Sequence, residues 1–196
     1  MRRILPIAFV ASLCAFAGDH LTPAVAQPST TEYVMTPIDT VPSKDQIVAL
    51  YGTTAVANLK ALINGGGDFG IQLRAIGALP RFCAASCATG EPHDSIVALI
   101  AGIDPGDHRG ITLLRLRAGI EALGATRSRL TSDVNRLVPF LNNASRDVRV
   151  ATARALRDLC NTQAIVPLHV RYEQEMVAQV RLAISAALRD LGQCSS

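Results

Sequence analysis

The chain has 196 residues and a formal net charge of +3, and this length predicts one domain or one compact array of repeats. Hydrophobic residues make up 49% and charged residues 18%, which is enough apolar content for a core and excludes wholesale disorder. Aromatic residues make up only 4% and tryptophan is absent, so the core has to consist of Ala, Leu, Ile and Val. Such a core favours closely packed helices over a β-sandwich.

Residues 1–26 are predicted to be a secretory signal peptide. Arg2 and Arg3 precede an uncharged run that is about one helical turn shorter than the roughly 20 apolar residues of a membrane span. Ala24 and Ala26 stand at the two positions that a signal peptidase reads. An uncleaved anchor is the alternative interpretation. Cleavage lowers the net charge by one, so we expect no overall field that draws the mature chain to DNA or to an anionic membrane.

Residues 27–43 are predicted to be a flexible linker or arm, because Pro28, Pro37 and Pro42 lie there among Ser and Thr. Ser43 is a suitable N-cap for a helix that begins at Lys44.

From Lys44 onwards the apolar residues recur at helical spacing and no segment alternates long enough to predict a strand. Loops are predicted at the glycine-rich stretch 64–70 and at the proline-containing stretches 83–92 and 104–110, with Asp94 or Ser95 as the N-cap of the helix between the last two. The predicted helices cover about 44–63, 71–82, 95–103, 111–124, 133–141, 147–159, 163–175 and 176–191.

An Ala-Leu pair repeats near the end of every second predicted helix. The pairs lie at 78–79, 122–123, 155–156 and 187–188, with spacings of 44, 33 and 32 residues. The last two helices even share the sequence "ALRDL". Repeats of this period indicate helical hairpins that bury a continuous core only when they are stacked.

The stretch "LVPFLNNASRDVRVATARALRDL" resembles a HEAT repeat of the short bacterial PBS-lyase-like kind. The resemblance implies an all-α fold, an α-solenoid of about four HEAT-like helical hairpins over residues 44–194. In such families the Asp of the turn and the Arg of the second helix often form polar contacts between repeats, which makes Asp147, Arg149 and Arg181 the candidates for that role. The residues that match the family pattern best are Asp147, Val148, Arg149, Ala151, Ala155, Leu156 and Leu159.

Four cysteines follow the predicted signal: Cys83, Cys87, Cys160 and Cys194. An even number in an exported chain favours disulfides, with three pairings open. We favour Cys160–Cys194, because these residues follow the two "ALRDL" helices, and Cys83–Cys87, which requires the preceding helix to end near Phe82. A zinc site is the rival interpretation, but the CxxxC spacing has no matching second pair.

No HExxH, GxSxG, GxxxxGK or CxxCH motif occurs in the sequence. His93, Asp94, Asp104, Asp107 and His108 could in principle bind a metal, but capping and loop solvation explain them. We therefore predict no catalytic residue, no metal and no cofactor. The arginine-rich segment 115–136 lacks the interleaved aromatic residues of a nucleic-acid site, so no nucleic-acid partner is predicted.

The leading functional hypothesis is an exported, non-enzymatic scaffold that binds an unidentified protein or peptide in the periplasm or outside the cell. After signal cleavage we expect no membrane insertion. The first alternative is a PBS-lyase-like enzyme or enzyme accessory, since that family includes proteins that attach or detach bilins. The second alternative is a structural protein of the cell envelope.

Overall fold

A computed structural model describes residues 34–35, 40–84, 86–104, 106–107 and 109–194. The predicted signal peptide lies outside these residues, as does most of the predicted arm. The described part is all-helical and contains no strand, and short 3-10 turns lie at Gly52–Thr54, Leu79–Phe82, Val138–Asn142 and Thr162–Ala164. The α-helices are α1 (Lys44–Tyr51), α2 (Ala55–Asn64), α3 (Phe69–Ala78), α4 (Glu91–Ala101), α5 (Gly110–Ala125), α6 (Thr131–Leu137), α7 (Arg146–Asp158), α8 (Ile165–Gln174) and α9 (Ala178–Leu191).

Polar caps set the start of the first helices. The Ser43 hydroxyl accepts a hydrogen bond from the Gln46 amide at 3.2 Å, and the Gln46 side chain accepts one from the Ser43 amide at 2.8 Å. This reciprocal capping box satisfies two backbone donors that the helix leaves open. The predicted start of α1 is therefore confirmed. The Asp68 carboxylate caps α3 in a similar way, by accepting from the Ile71 amide at 2.9 Å.

The predicted N-cap of α4 is wrong. The helix begins at Glu91, after Gly90, whose φ of +103° suits glycine, and Pro92 occupies its first turn. Proline is favourable there because the amide that it lacks would have no partner in the helix. His93 and Asp94 consequently lie on a helix instead of in a loop.

Proline also explains why two helices are shorter than predicted. The segments predicted as helix over 71–82 and 133–141 change into 3-10 turns at Leu79 and Val138. Pro80 and Pro139 occupy the first turn of these 3-10 segments. A proline inside an α-helix removes one hydrogen bond and clashes with the preceding turn, so the α-helical ladder ends before it.

The helices form successive pairs whose second members contact each other. Helix α2 packs on α3, α4 on α5, α6 with its following 3-10 turn on α7, and α8 on α9. The second helices then follow one another in a row, because α3 contacts α5, α5 contacts α7 and α7 contacts α9. The contacts of α7 with α5 and with α9 are the most extensive in the described part of the chain.

The core lies between the two rows and depends on small residues where helices cross. Ala151, Ala155 and Leu156 of α7 are almost completely buried. A Cβ atom added to Gly124 of α5 would lie 2.6 Å from the Cα of Ala155, which is closer than real atoms approach. Helices α5 and α7 therefore contact each other through backbone, and only glycine fits at this crossing.

The segment Lys44–Asn64 is long and apolar enough to cross a membrane by length and composition. It comprises α1, α2 and the 3-10 turn between them, and Ile47, Leu59 and Ile63 of this segment are buried in the core. Core helices pass the same test, so this is weak evidence for a span.

The structure pairs Cys83 with Cys87 and Cys160 with Cys194, the two pairings that the sequence favours. The Cα atoms are 5.2 Å and 5.4 Å apart, within the range of ordinary disulfides. The helical segment before Cys83 ends at Phe82, as the short pairing requires. Cys160 and Cys194 follow α7 and α9, so their bond joins the ends of two contacting helices.

Replacing Gly124 with alanine tests the crossing of α5 and α7. The added methyl group would overlap the backbone of Ala155, so we expect the free energy of unfolding to fall by about 1–3 kcal/mol, although alanine is the better helix former. Gly110→Ala is the matched control, because a Cβ there has nothing within 4 Å. Urea denaturation of both variants makes the comparison, and equal stabilities would contradict the crossing.

The two disulfides should differ in their contribution to stability. The Cys160–Cys194 bond closes a loop with a sequence separation of 34 and the Cys83–Cys87 bond one of 4. In the chain-entropy model these loops correspond to about 4 and about 2 kcal/mol. We expect the Cys160→Ala, Cys194→Ala double variant to unfold at lower urea concentration than the Cys83→Ala, Cys87→Ala variant. Alkylation of Cys83, Cys87, Cys160 and Cys194 in the purified, unreduced protein would refute both bonds.

Candidate functional site

The exposed face of the row α3, α5, α7 and α9 carries a groove, which we call the inner groove. A cavity of about 650 Å³ lies between α3 and α5, and Gly77, Leu114 and Ala118 are among its lining residues. A smaller cavity of about 120 Å³ lies over α5, α7 and the start of α9. Arg117 and Glu121 line both cavities, so the two form one continuous surface.

Several of the residues that line the inner groove are small. Gly77, Ala118 and Ala122 line the larger cavity, and Ala151 lines the smaller one. Side chains of this size leave room for another backbone to approach the helices closely. Leu114 is 44% exposed beside them and offers an apolar contact.

Charged residues line the smaller cavity, and its two carboxylates already have partners. Glu121 accepts from the Arg117 guanidinium at 3.1 Å, and Asp147 pairs with Arg146 at 3.5 Å. Arg154 is exposed and forms no hydrogen bond or ion pair within the described part of the chain. The lining of the smaller cavity therefore contains two guanidinium groups, of Arg117 and Arg154, and two carboxylates, of Glu121 and Asp147.

Residues of the predicted arm lie at the α3 end of the inner groove. Met35 is fully buried and its carbonyl accepts a hydrogen bond from the Arg74 Nε. The carbonyl of Val41 accepts from Arg81 at 3.3 Å, and Val41 also lines the larger cavity. A Cβ added to Gly77 would lie 3.3 Å from the Val41 side chain, which shows how closely this residue sits on α3.

Arg149, predicted as an inter-repeat contact, is buried between the third and fourth helix pairs. Its Nε donates to Glu175 Oε2 at 2.8 Å and its Nη2 to Oε1 at 3.1 Å. Its Nη1 donates to the backbone carbonyls of Asn143 and Ala144 at 2.9 and 3.0 Å. Glu175 lies in the connection from α8 to α9, so this bidentate ion pair joins α7 to the last helix pair.

The other two predicted contacts lie in different places. Arg181 stacks on the Tyr172 ring at 4.4 Å and donates to the Glu175 carbonyl at 3.4 Å, within the last helix pair. Asp147 lines the inner groove and pairs with Arg146 on its own helix. The acidic partner of the arginines is thus Glu175 instead of Asp147. Arg171 could have indicated Glu175 as an ion-pair partner from the sequence, because it lies four residues earlier on the same helix face. In the structure, the Arg171 guanidinium donates to Glu175 at 2.6 Å.

The environment of Glu175 strongly favours its ionised form. Burial alone would raise the pKa of this carboxyl, but hydrogen bonds from Arg149, Arg171 and the Val177 amide outweigh burial and lower the pKa to about 2. The carboxylate therefore stays charged over the whole physiological range and holds both guanidinium groups.

A second buried polar interaction connects α4 to α6. The buried His93 contacts Asp133 through Nε2 at 2.9 Å and Asp94 through Nδ1 at 3.1 Å. The Ser128 hydroxyl donates to the same Asp133 oxygen at 2.5 Å, and both ring nitrogens of His93 have carboxylate partners, Asp133 and Asp94. Burial opposes the charged imidazole, but the hydrogen bonds and charges of Asp133 and Asp94 raise the pKa of His93 above its ordinary value.

The other acidic residues considered as metal ligands bind to groups in or next to their own loop. Asp104 accepts from the Gly106 amide at 2.9 Å, and Asp107 pairs with Arg109 and accepts from Thr112 at 2.7 Å. The Arg109 side chain is the main reason why the pKa of Asp107 is well below its usual range. His108 lies outside the described residues. The described residues contain no group of three His, Cys, Asp or Glu side chains that could hold a metal ion.

Comparison of the chain with protein-family models and with curated proteins finds no match.

Replacing Glu175 with glutamine should leave Arg149 buried without its counter-charge and lower the free energy of unfolding by about 3 kcal/mol. The pKa of Glu175 is about 2 in the folded chain and 4.5 ordinarily, so its stabilisation is present above about pH 4.5 and is lost as the pH falls towards 2. The deficit of the variant should therefore be larger at neutral pH than in acid. Urea denaturation against pH measures it, with the exposed Glu121→Gln as control. A deficit that does not change with pH would contradict the assignment.

The stabilisation from the His93–Asp133 interaction should decrease as the pH rises. Because its pKa is raised from 6.5 in the folded chain, the stabilisation is fully present below about pH 6.5 and is lost as the pH passes the folded pKa. Relative to His93→Gln, the wild-type chain should lose its advantage in melting temperature as the pH rises above about 6.5. His169→Gln, at an exposed position of α8, is the control. An advantage that grows with pH would show that neutral histidine is the stabilising form.

Proposed function

We propose that the chain is a HEAT-like α-solenoid of about four helical hairpins. Three features support this assignment: the Ala-Leu pairs that repeat every 32 to 44 residues, the pairing of each odd-numbered helix from α3 to α9 with the helix before it, and the successive contacts along α3, α5, α7 and α9. In a solenoid each repeat contacts mainly its neighbours, and the row of second helices forms one face of the array.

We propose further that this solenoid is a non-enzymatic scaffold that binds a protein or peptide segment in the inner groove. The observation that carries the proposal is the arm, because the carbonyls of Met35 and Val41 accept hydrogen bonds from Arg74 of α3 and from Arg81 of the following 3-10 turn, and the Val41 side chain lies against Gly77 of α3. A face that holds one such segment at its first helix offers the same kind of surface along the helices that follow.

The proposed location is the periplasm or the outside of the cell. Two cysteine pairs at disulfide distance are typical of proteins from oxidising compartments, and the first 26 residues have the pattern of a secretory signal.

Site-specific photo-crosslinking tests the scaffold function. A photoreactive amino acid is placed at Leu114 in the groove, or at Met176, which is 90% exposed and outside it, and the full chain is expressed in its own host. We expect one protein to be crosslinked stoichiometrically from Leu114 and to be recovered again with the unmodified chain. No adduct from either position would overturn the scaffold function, and recovery of cell-wall material alone would favour an envelope structural protein instead.

A further inference from the structure

We infer that the array contains a hinge between its second and third helix pairs, and that the protonated His93 side chain holds one side of this hinge closed. The hinge lies where α4 and α5 meet α6 and α7, and it does not depend on the proposed scaffold function. Loss of the proton opens one side of the junction while the other side stays packed.

The second and third helix pairs pack extensively on one side only. In the row of second helices, the backbone at Gly124 of α5 approaches Ala155 of α7, and the contact between these two helices is among the most extensive in the described part of the chain. In the row of first helices (α2, α4, α6 and α8), which we call the outer row, the described residues of α4 and α6 contact each other only sparsely. A junction that is packed on one side and sparse on the other has the geometry of a hinge.

The other two junctions have further contacts outside the row of second helices. Between the first and second pairs, α2 contacts α4, and Lys60 Nζ lies 2.8 Å from Glu91 Oε1. Between the third and fourth pairs, α8 contacts the 3-10 turn Val138–Asn142, and Arg149 Nε donates to Glu175 Oε2 at 2.8 Å. The junction between the second and third pairs is therefore the one where a single side-chain interaction has the largest effect.

That interaction is made by His93, which connects α4 to α6. Its Nε2 lies 2.9 Å from Asp133 Oδ2, and its Nδ1 lies 3.1 Å from Asp94 Oδ1. Only the imidazolium donates from both nitrogens, because a neutral imidazole has one N–H group. The Asp94 side chain is 71% exposed and can turn to water, whereas the Asp133 side chain is 1% exposed. Deprotonation therefore leaves a buried carboxylate without its counter-charge, and opening of the outer row brings water to it.

Asp133 and Asp94 are the charged groups that act on His93 among the described residues. Burial opposes the charged imidazole, but the hydrogen bonds and charges of these two carboxylates raise its pKa above the ordinary value. The charged side chains of the other elements that pack on α4 have their own partners: Lys60 of α2 binds Glu91, Arg81 of the 3-10 turn after α3 binds the Val41 carbonyl, and Arg115 and Arg117 of α5 bind Gln72 and Glu121.

Hydrogen–deuterium exchange of the purified protein at pH 6 and pH 9, measured by mass spectrometry, tests this inference. Labelling times are corrected for the pH dependence of chemical exchange. We expect the amides of α4 and α6 to exchange about 10- to 100-fold faster at pH 9, the range for loss of a hydrogen bond to a charged group, because a helix that loses its neighbour unfolds locally more readily. The amides of α9 should keep their protection. An equal loss of protection in all helices, no loss, or greater protection at pH 9 would overturn the hinge.

Three variants assign the effect to His93. His93→Gln cannot take up a proton, so the amides of α4 and α6 should exchange rapidly at both pH values. Asp133→Asn removes the buried charge, and its exchange should no longer depend on pH. His169→Gln replaces an exposed histidine of α8 and is the matched control, which should behave as the wild-type chain. Melting temperatures verify that the variants fold. Exchange of α4 and α6 in His93→Gln that still depends on pH would assign the titration to another group and overturn the inference.

Discussion

Close approach between α5 and α7 is the constraint on which the rest of the structure depends. Gly124 allows the backbone of α5 to touch Ala155 of α7, and no larger residue fits between them. This spacing brings the second helices into one row, and the row creates both the buried seam and the inner groove on its other side. Small side chains therefore serve packing and surface shape at once, which explains why a chain with few aromatic residues still has a continuous core.

Two buried side-chain interactions orient the helices that this apolar packing brings together. The Arg149–Glu175 pair holds the connection between α8 and α9 against α7, and the His93–Asp133 pair holds α4 against α6. Apolar contacts between alanine-rich helices tolerate sliding, whereas a bidentate guanidinium–carboxylate pair has one good geometry. These two interactions thus determine the register of neighbouring helix pairs, while most of the stabilisation comes from the buried apolar residues.

Much of the helical pattern could be predicted from the sequence, because apolar spacing and caps such as Ser43 are local signals. The shortened helices at Pro80 and Pro139 and the early start of α4 depend on where proline falls within a turn, which periodicity does not reveal. The polar partners were harder to predict. Glu175 lies 26 residues from Arg149, and only the fold brings them together. The inner groove likewise depends on side chains from four helices, and no short motif encodes it.

The bond between Cys160 and Cys194 has a mechanical consequence. It connects the end of α7 directly to the segment that follows α9, with a sequence separation of 34. A pulling force applied at the carboxyl terminus is therefore transmitted through the sulfur atoms to α7 and bypasses the last hairpin. That hairpin is shielded from tension, and roughly 120 Å of chain contour is withheld from any extension of the molecule. The end of α9 thus stays joined to the end of α7 under load.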